Sequence, residues 1–277
     1  MTLQLDNNLI AIRERNLLDI MDLALAVLRT QGMPLLAALL IGAAPMLLLN
    51  DLLLSEMLYD ETRLDDEPPY GFLWLTALLV AMEIPLAAAP ATLYLGQSMF
   101  REEASLRRAA GDFLASLPQL FWLQGAFRGL FFALWFFMIP PAIPFIAWPY
   151  LNEIILLERN PLLPKEAHMT TFRRSRMLHG GSTGDLLARW LGSLVVGGLL
   201  IVAIWMSLWV VLSQLAGGWI SWYLACRIFL PIAIWIVVSF FTMVRFLSYL
   251  DLRIRSEGWE IELAMRAEAA QLAERPA

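Results

Sequence analysis

Tyr70 to Met99 reads YGFLWLTALLVAMEIPLAAAPATLYLGQSM, an apolar run with one charged residue, Glu83, near its middle. About 20 apolar residues at helical rise cross the hydrocarbon core, so the run predicts a membrane span. A carboxylate at that depth costs roughly 3 kcal/mol on insertion scales and must face protein, water or a partner charge. Pro85 and Pro90 follow it, and the rest of the chain reads as the bundle that makes Glu83 tolerable.

The composition agrees with that reading. Of 277 residues, 59% are apolar and 16% charged, with eleven Trp and fifteen Phe; soluble domains carry roughly 45–50% and 25%. The fold class predicted is all-α, a polytopic membrane protein. The single cysteine, Cys226, excludes an internal disulfide, and with His168 and His179 it cannot make a Cys/His metal cluster. Asp6, Glu14, Asp19 and Asp22 spoil any apolar signal core.

Six spans are predicted, at about 33–54, 70–98, 118–138, 140–157, 186–215 and 219–247. Residues 1–32 form an N-terminal segment. Within it Leu9, Ile10, Leu17, Met21, Leu25 and Leu28 recur at helical spacing, with Arg13, Glu14, Asp22 and Arg29 between, an interfacial amphipathic pattern broken by Gly32 and Pro34. Gly42 and Pro45 predict a close helix contact and a kink in span one. Glu56, Asp60, Glu61, Asp65, Asp66 and Glu67 make the first loop acidic. It reads as a solvated loop; a calcium site is the alternative, but the spacing matches no calcium loop. A basic loop follows span two. Pro140, Pro141, Pro144 and Pro149 leave span four irregular, with a re-entrant hairpin as the alternative. Asp185 is placed as the N-cap of span five, and Gly217 and Gly218 turn the chain into span six. Residues 249–277 form a charged helical tail, in which the alternation from Trp259 to Leu263 also fits a strand.

The basic residues set the orientation. Three lie in the N-terminal segment, three after span two, six between spans four and five, and five from Arg245 onward, seventeen of the twenty Lys and Arg. The positive-inside rule puts both termini in the cytoplasm, in a bacterial cytoplasmic (inner) membrane.

The intramembrane polar residues are Glu83, Arg128, Arg227 and Gln124. Glu83 and Arg128 each fall about 15–20 Å from their span ends, which suits an ion pair; Arg227 lies about 12 Å from the outer end of span six. Such a cluster marks either a pathway for an ion, proton or anionic substrate, or a pair that fixes helix register. Asp51 and Glu153 read as span-end residues that extend no carboxylate relay to mid-depth. There is no Walker loop, dinucleotide turn, His-Glu-x-x-His or Gly-x-Ser-x-Gly elbow. No catalytic residue, cofactor, metal or nucleic-acid partner is expected. Arg173, Arg174 and Arg176 face the inner leaflet, where anionic headgroups are the default partner.

Glu158, the Arg-Arg-Ser of 173–175, and Tyr249-Leu250-Asp251-Leu252-Arg253-Ile254-Arg255 with Glu257-Gly258 carry a resemblance. Over 158–262 the chain resembles the membrane domain attached to glycerophosphoryl diester phosphodiesterases and its stand-alone bacterial relatives. The resemblance implies six helices, a basic loop before the fifth, and a helper, anchoring or regulatory role. It implies no enzyme activity, since the catalytic domain is lacking, and it carries over no catalytic residues. Arg173, Arg174, Arg176, Asp251, Arg253 and Arg255 are therefore expected to contact a partner protein or anionic lipid at the cytosolic face. A small transporter or channel using Glu83, Arg128 and Arg227, with broken helices at Pro85, Pro90 and 140–149, is the alternative.

Overall fold

The computed structural model describes residues 16–63, 68–100, 104–126, 129–130, 150–158, 170–179 and 183–257. All regular structure among them is helical. Asn16 opens α1 (Leu17–Arg63): its Oδ1 accepts the Asp19 N–H at 2.8 Å, and Asp19 reaches back to the Asn16 N–H, a reciprocal cap. At 47 residues α1 is about 70 Å long, more than twice the hydrocarbon thickness.

The break expected at Gly32 and Pro34 is a kink at Gln31 (φ −125°, ψ 18°), not an end. Residues 17–30 therefore continue into the first span. The predicted stripe needed Met21 and Leu25 on one face, but Met21 is buried and Leu25 uncovered; Ile20, Met21 and Ala24 join the bundle core. Leu17 packs over Gly192, where a Cβ would come 2.9 Å from its Cδ2.

The second span is α2 (Tyr70–Ala87) followed, across a turn at Ala88, by α3 (Ala89–Phe100). Glu61 of α1 accepts the Phe72 N–H at 3.1 Å and so caps the start of α2. At the α2–α3 break α1 comes closest: a Cβ on Gly42 would lie 2.3 Å from the Ala87 carbonyl oxygen, and its next contacts are also Ala87 backbone. The close contact predicted at Gly42 is thus present.

The stretch read as a basic loop after span two is largely α4 (Leu106–Leu120), whose Ala109, Phe113 and Leu120 face inward while Arg107, Arg108 and Leu114 do not. It passes into a π-helical turn, Phe121–Ala126. Most of spans three and four lies outside the described residues. Chain resumes with α5 (Leu151–Glu153) and a second π-helical turn, Ile154–Glu158. A short helix, α6 (Thr171–His179), follows. Next comes α7 (Thr183–Leu215), which starts before Asp185, so that Asp185 sits in the first turn rather than at the cap.

Gly217 (φ 70°) ends α7: its N–H reaches the Gln214 carbonyl and the Gly218 N–H the Ser213 carbonyl, the paired bonds of a Schellman turn. The return runs through α8 (Trp222–Leu224), a π-helical turn (Ala225–Phe229) and α9 (Leu230–Glu257). No break separates the predicted tail from span six up to Glu257. Two indoles clamp the return: Trp205 Nε1 donates to the Ala225 carbonyl and Trp209 Nε1 to that of Ile220, both at 2.9 Å. Trp209 also stacks at 4.4 Å on Trp222.

Four stretches among the described residues are long and apolar enough to cross a membrane: Leu17–Thr62, Tyr70–Met99, Gly184–Leu215 and Trp222–Arg255. α1 packs on α9, α2 and α3, and α7 packs on the outside of α9. The apolar window of α7 is only 17% buried, which suits a helix with lipid on most of its surface.

Gly42→Ala is expected to destabilise the protein by about 3 kcal/mol, because backbone cannot yield to the added methyl. Gly198→Ala, on a helix where no atom lies within 4 Å of the added Cβ, is expected to leave the melting temperature in detergent unchanged or slightly raised.

Candidate functional site

Polar side chains in a helix bundle must find partners inside it, and here they gather at three levels. At the end of the bundle where α7 turns back toward α9, the third π-helical turn aims Arg227 at α1. Its Nε and Nη2 contact the two carboxylate oxygens of Asp51 at 2.9 and 3.0 Å, a bidentate pair, and its Nη1 donates to the Tyr223 hydroxyl. Beside the pair lies a cavity of ≈ 300 Å³. Asn50, Asp51, Ser55, Thr76 and Arg227 supply its polar wall, and Leu54, Leu58, Val80 and Trp235 part of its apolar wall.

Glu83 is buried, and among the described residues the group that meets it is Asn50: Asn50 Nδ2 donates to Glu83 Oε2 at 2.7 Å. Arg128, the partner expected for it, lies outside the described residues, and Gln124 falls in the first π-helical turn. Arg227 pairs with Asp51, one residue along α1 from the partner of Glu83.

One level in, the break between α2 and α3 faces α5. Glu153, 2% exposed, accepts both Nε and Nη2 of Arg245 at 3.1 Å. Ile84, Pro85, Thr92, Asn152 and Thr242 enclose a cavity of ≈ 50 Å³ beside this pair. Sequence reasoning placed Glu153 at a span end. It lies instead against Ile84 and Pro85, next to Glu83 in the chain, so a buried carboxylate does stand deep in the bundle.

The third level joins α5, α6, α7 and α9 around Tyr150, Ile154, Leu178, Leu186, Tyr249 and Leu252. Glu158 accepts Arg174 Nε at 2.6 Å and Nη2 at 3.0 Å, and the Tyr249 hydroxyl at 2.6 Å. Burial pushes its carboxyl up, but the Arg174 guanidinium and the Tyr249 hydroxyl outweigh it and hold the carboxyl below the usual carboxylate range. Nearby, Arg189 lies 3.0 Å from Asp185 and 3.1 Å from Asp251, and Arg255 lies 2.9 Å from Asp251 and 3.5 Å from Asp185. Two arginines and two aspartates thus alternate in a closed ring.

Of the six residues expected to contact a partner or lipid, Arg174, Asp251 and Arg255 are engaged in these pairs, and Arg253 lies within electrostatic reach of Glu158. Arg173 and Arg176 remain exposed. α6 shows why: Thr171, Ser175 and Leu178 are buried, and Gln119 of α4 reaches Thr171 Oγ1 at 3.4 Å. That docking turns Arg173, Arg176 and Met177 outward on one face, at i, i+3 and i+4. Sequence reasoning missed Asn50, Asp51 and Arg245 as partners. The amide of Asn50 at Glu83 carries no charge signal, and Asp51 pairs across 176 positions. Among the described residues no three His, Cys, Asp or Glu side chains are grouped to hold a metal.

Among the described residues these features are those of an all-helical protein with four stretches long and apolar enough to cross a membrane and with charges paired across its helices. No family model, curated protein or solved structure matches the chain.

Glu158→Gln is expected to cost about 3 kcal/mol at neutral pH by removing the buried carboxylate charge that Arg174 and Tyr249 share. The wild-type carboxyl is held low, so its contribution is present above the ordinary value of 4.5 and is lost as pH falls through the lowered one. Melting curves of both proteins in mild detergent from pH 7 to 3.5 check this: the gap in melting temperature should close on acidification.

Proposed function

We propose that the chain is a non-enzymatic six-span protein of a bacterial cytoplasmic membrane, with both termini in the cytoplasm, that serves as a helper or scaffold by binding anionic lipid headgroups at its cytosolic face. The observation that carries this reading is the outer face of α6. Arg173 and Arg176 project from it beside Met177, which is 56% exposed. Two guanidinium groups and one apolar side chain suit the boundary between headgroup and acyl chain. Arg107, Arg108 and Leu114 repeat the combination on α4. A lipid fits this face better than a protein partner does: a nine-residue helix offers far less than the roughly 800 Å² per side of a stable protein interface.

The ion pairs behind α6 support the same reading, because they hold Arg174 inward and fix the angle at which Arg173 and Arg176 are shown. The pairing of Glu153 with Arg245 and of Glu158 with Arg174 likewise supports a structural rather than catalytic use of these carboxylates. The resemblance to the phosphodiesterase-associated membrane domain fits a helper role, and the residues that carry it, Glu158, Arg174, Tyr249, Asp251 and Arg255, are among those that build the cytosolic network.

The second reading is a small transporter or channel. The ≈ 300 Å³ cavity beside Asp51 and Arg227, with Glu83 held behind Asn50, favours it.

Native mass spectrometry of the full chain from mixed-lipid nanodiscs tests the first reading. At about 1 kcal/mol per basic residue near an anionic surface, Arg173→Gln with Arg176→Gln should weaken retention of anionic lipid roughly 10- to 30-fold. Unchanged retention in the double variant would overturn it.

A further inference from the structure

We propose that the cavity between α1, α2 and the third π-helical turn holds one phospholipid of the surrounding bilayer, with an acyl chain inside it and the phosphate at Arg227. The cavity lies at the opposite end of the bundle from α6 and takes a whole lipid rather than a headgroup on a surface. At ≈ 300 Å³ it is at the small end of ligand pockets. Its interior is apolar, with Leu54, Leu58, Val80 and Trp235 in the wall. Asn50 and Thr76 line it too, but their polar atoms are turned elsewhere. Asn50 Nδ2 is committed to Glu83, and Asn50 Oδ1 and Thr76 Oγ1 are closed off from the cavity.

The exposed apolar residues of the lining are Leu48 and Ile228, at 74% and 46%. Each belongs to a stretch long and apolar enough to cross a membrane. A ligand entering past them comes out of hydrocarbon, where acyl chains are the molecules present. From Arg227 to Trp235 the wall runs about 12 Å at helical rise, a slot shaped for a chain. Arg227 supplies the headgroup contact. A guanidinium has five N–H donors; Asp51 takes two and the Tyr223 hydroxyl one, which leaves two among the described residues, on a side chain 40% exposed. Its bond to Tyr223 draws the guanidinium toward Trp222 and Trp219, and indoles favour the headgroup level. Phosphate oxygens accept such N–H groups readily. Asp51 cancels the Arg227 charge, so a headgroup with no net charge fits here, in contrast to the anionic preference of α6.

The test is native mass spectrometry of the full chain from nanodiscs of phosphatidylcholine mixed with diacylglycerol of the same chains. The expected result is one phosphatidylcholine retained per chain after the other lipids are stripped, in preference to diacylglycerol. Val80→Phe, which fills the cavity, should abolish retention. Asp51→Asn with Arg227→Gln, which removes the guanidinium without baring a charge, should weaken it about fivefold. Arg173→Gln with Arg176→Gln should leave it unchanged, so that this site and the α6 face stand or fall separately. No retained lipid, equal retention of diacylglycerol, or retention unchanged in Val80→Phe or in the Asp51 and Arg227 double variant would overturn the proposal. Should Val80→Phe fail to fold, the comparison of the two lipids in the wild-type chain decides the question.

Discussion

Gly42 lies against the Ala87 carbonyl with no room for a methyl group, and that contact sets the register of α1 on its neighbours. About two turns further out the same register puts Asn50 opposite Glu83, and the next residue, Asp51, opposite Arg227. A slip of one helical turn, about 5.4 Å, would part both pairs and leave a buried carboxylate bare. Without a hydrophobic drive between helices in lipid, close backbone approach and interhelical bonds are what remain to hold a bundle. The α2–α3 break is where the two meet: it brings backbone up to Gly42 on one side and opens the small polar cavity at Glu153 and Arg245 on the other.

Each of the four main carboxylates inside the structure has a partner on another helix. Asp51 joins α1 to the turn before α9, Glu83 joins α2 to α1, Glu153 joins α5 to α9, and Glu158 joins its turn to α6 and α9. Such pairs add little net stability, since desolvation offsets much of their attraction, but a mispaired arrangement is heavily penalised. They act chiefly as a code for which helices meet. The π-helical turns fit this role. Of the three among the described residues, two carry a charge in the code, Glu158 and Arg227, and a wider turn re-aims a side chain without ending the helix.

The apolar runs at Tyr70–Met99 and over α7 were legible because hydrocarbon thickness demands them. The Gly217–Gly218 turn was legible because a left-handed residue favours glycine. The continuity of α1 was not. A proline three residues after Gln31 removes one bond and crowds the preceding turn, so the helix bends ahead of Pro34 and then resumes, and sequence alone does not distinguish a bend from an end. Residues 106–117 read as part of a basic loop from Arg101, Arg107 and Arg108, although Ala109 and Phe113 already lay four apart on one face. At the sites, opposite sign suggested Arg128 for Glu83, a residue outside the described ones, and gave no hint of the Asn50 amide that meets Glu83. Arg189 and Arg245 entered the sequence reading only as basic residues counted for orientation, because Asp251 and Glu153, which they meet, lie 62 and 92 positions away.

The tryptophans at the return between α7 and α9 have an optical consequence. Indole rings of Trp205, Trp209, Trp219 and Trp222 lie 4.4 to 6.2 Å apart, two of them fixed by bonds to backbone carbonyls. Transitions of rings held so close and at fixed tilt mix, and the mixing vanishes once the rings turn freely. Near-ultraviolet dichroism of these coupled indoles therefore reports the loosening of the return without any label.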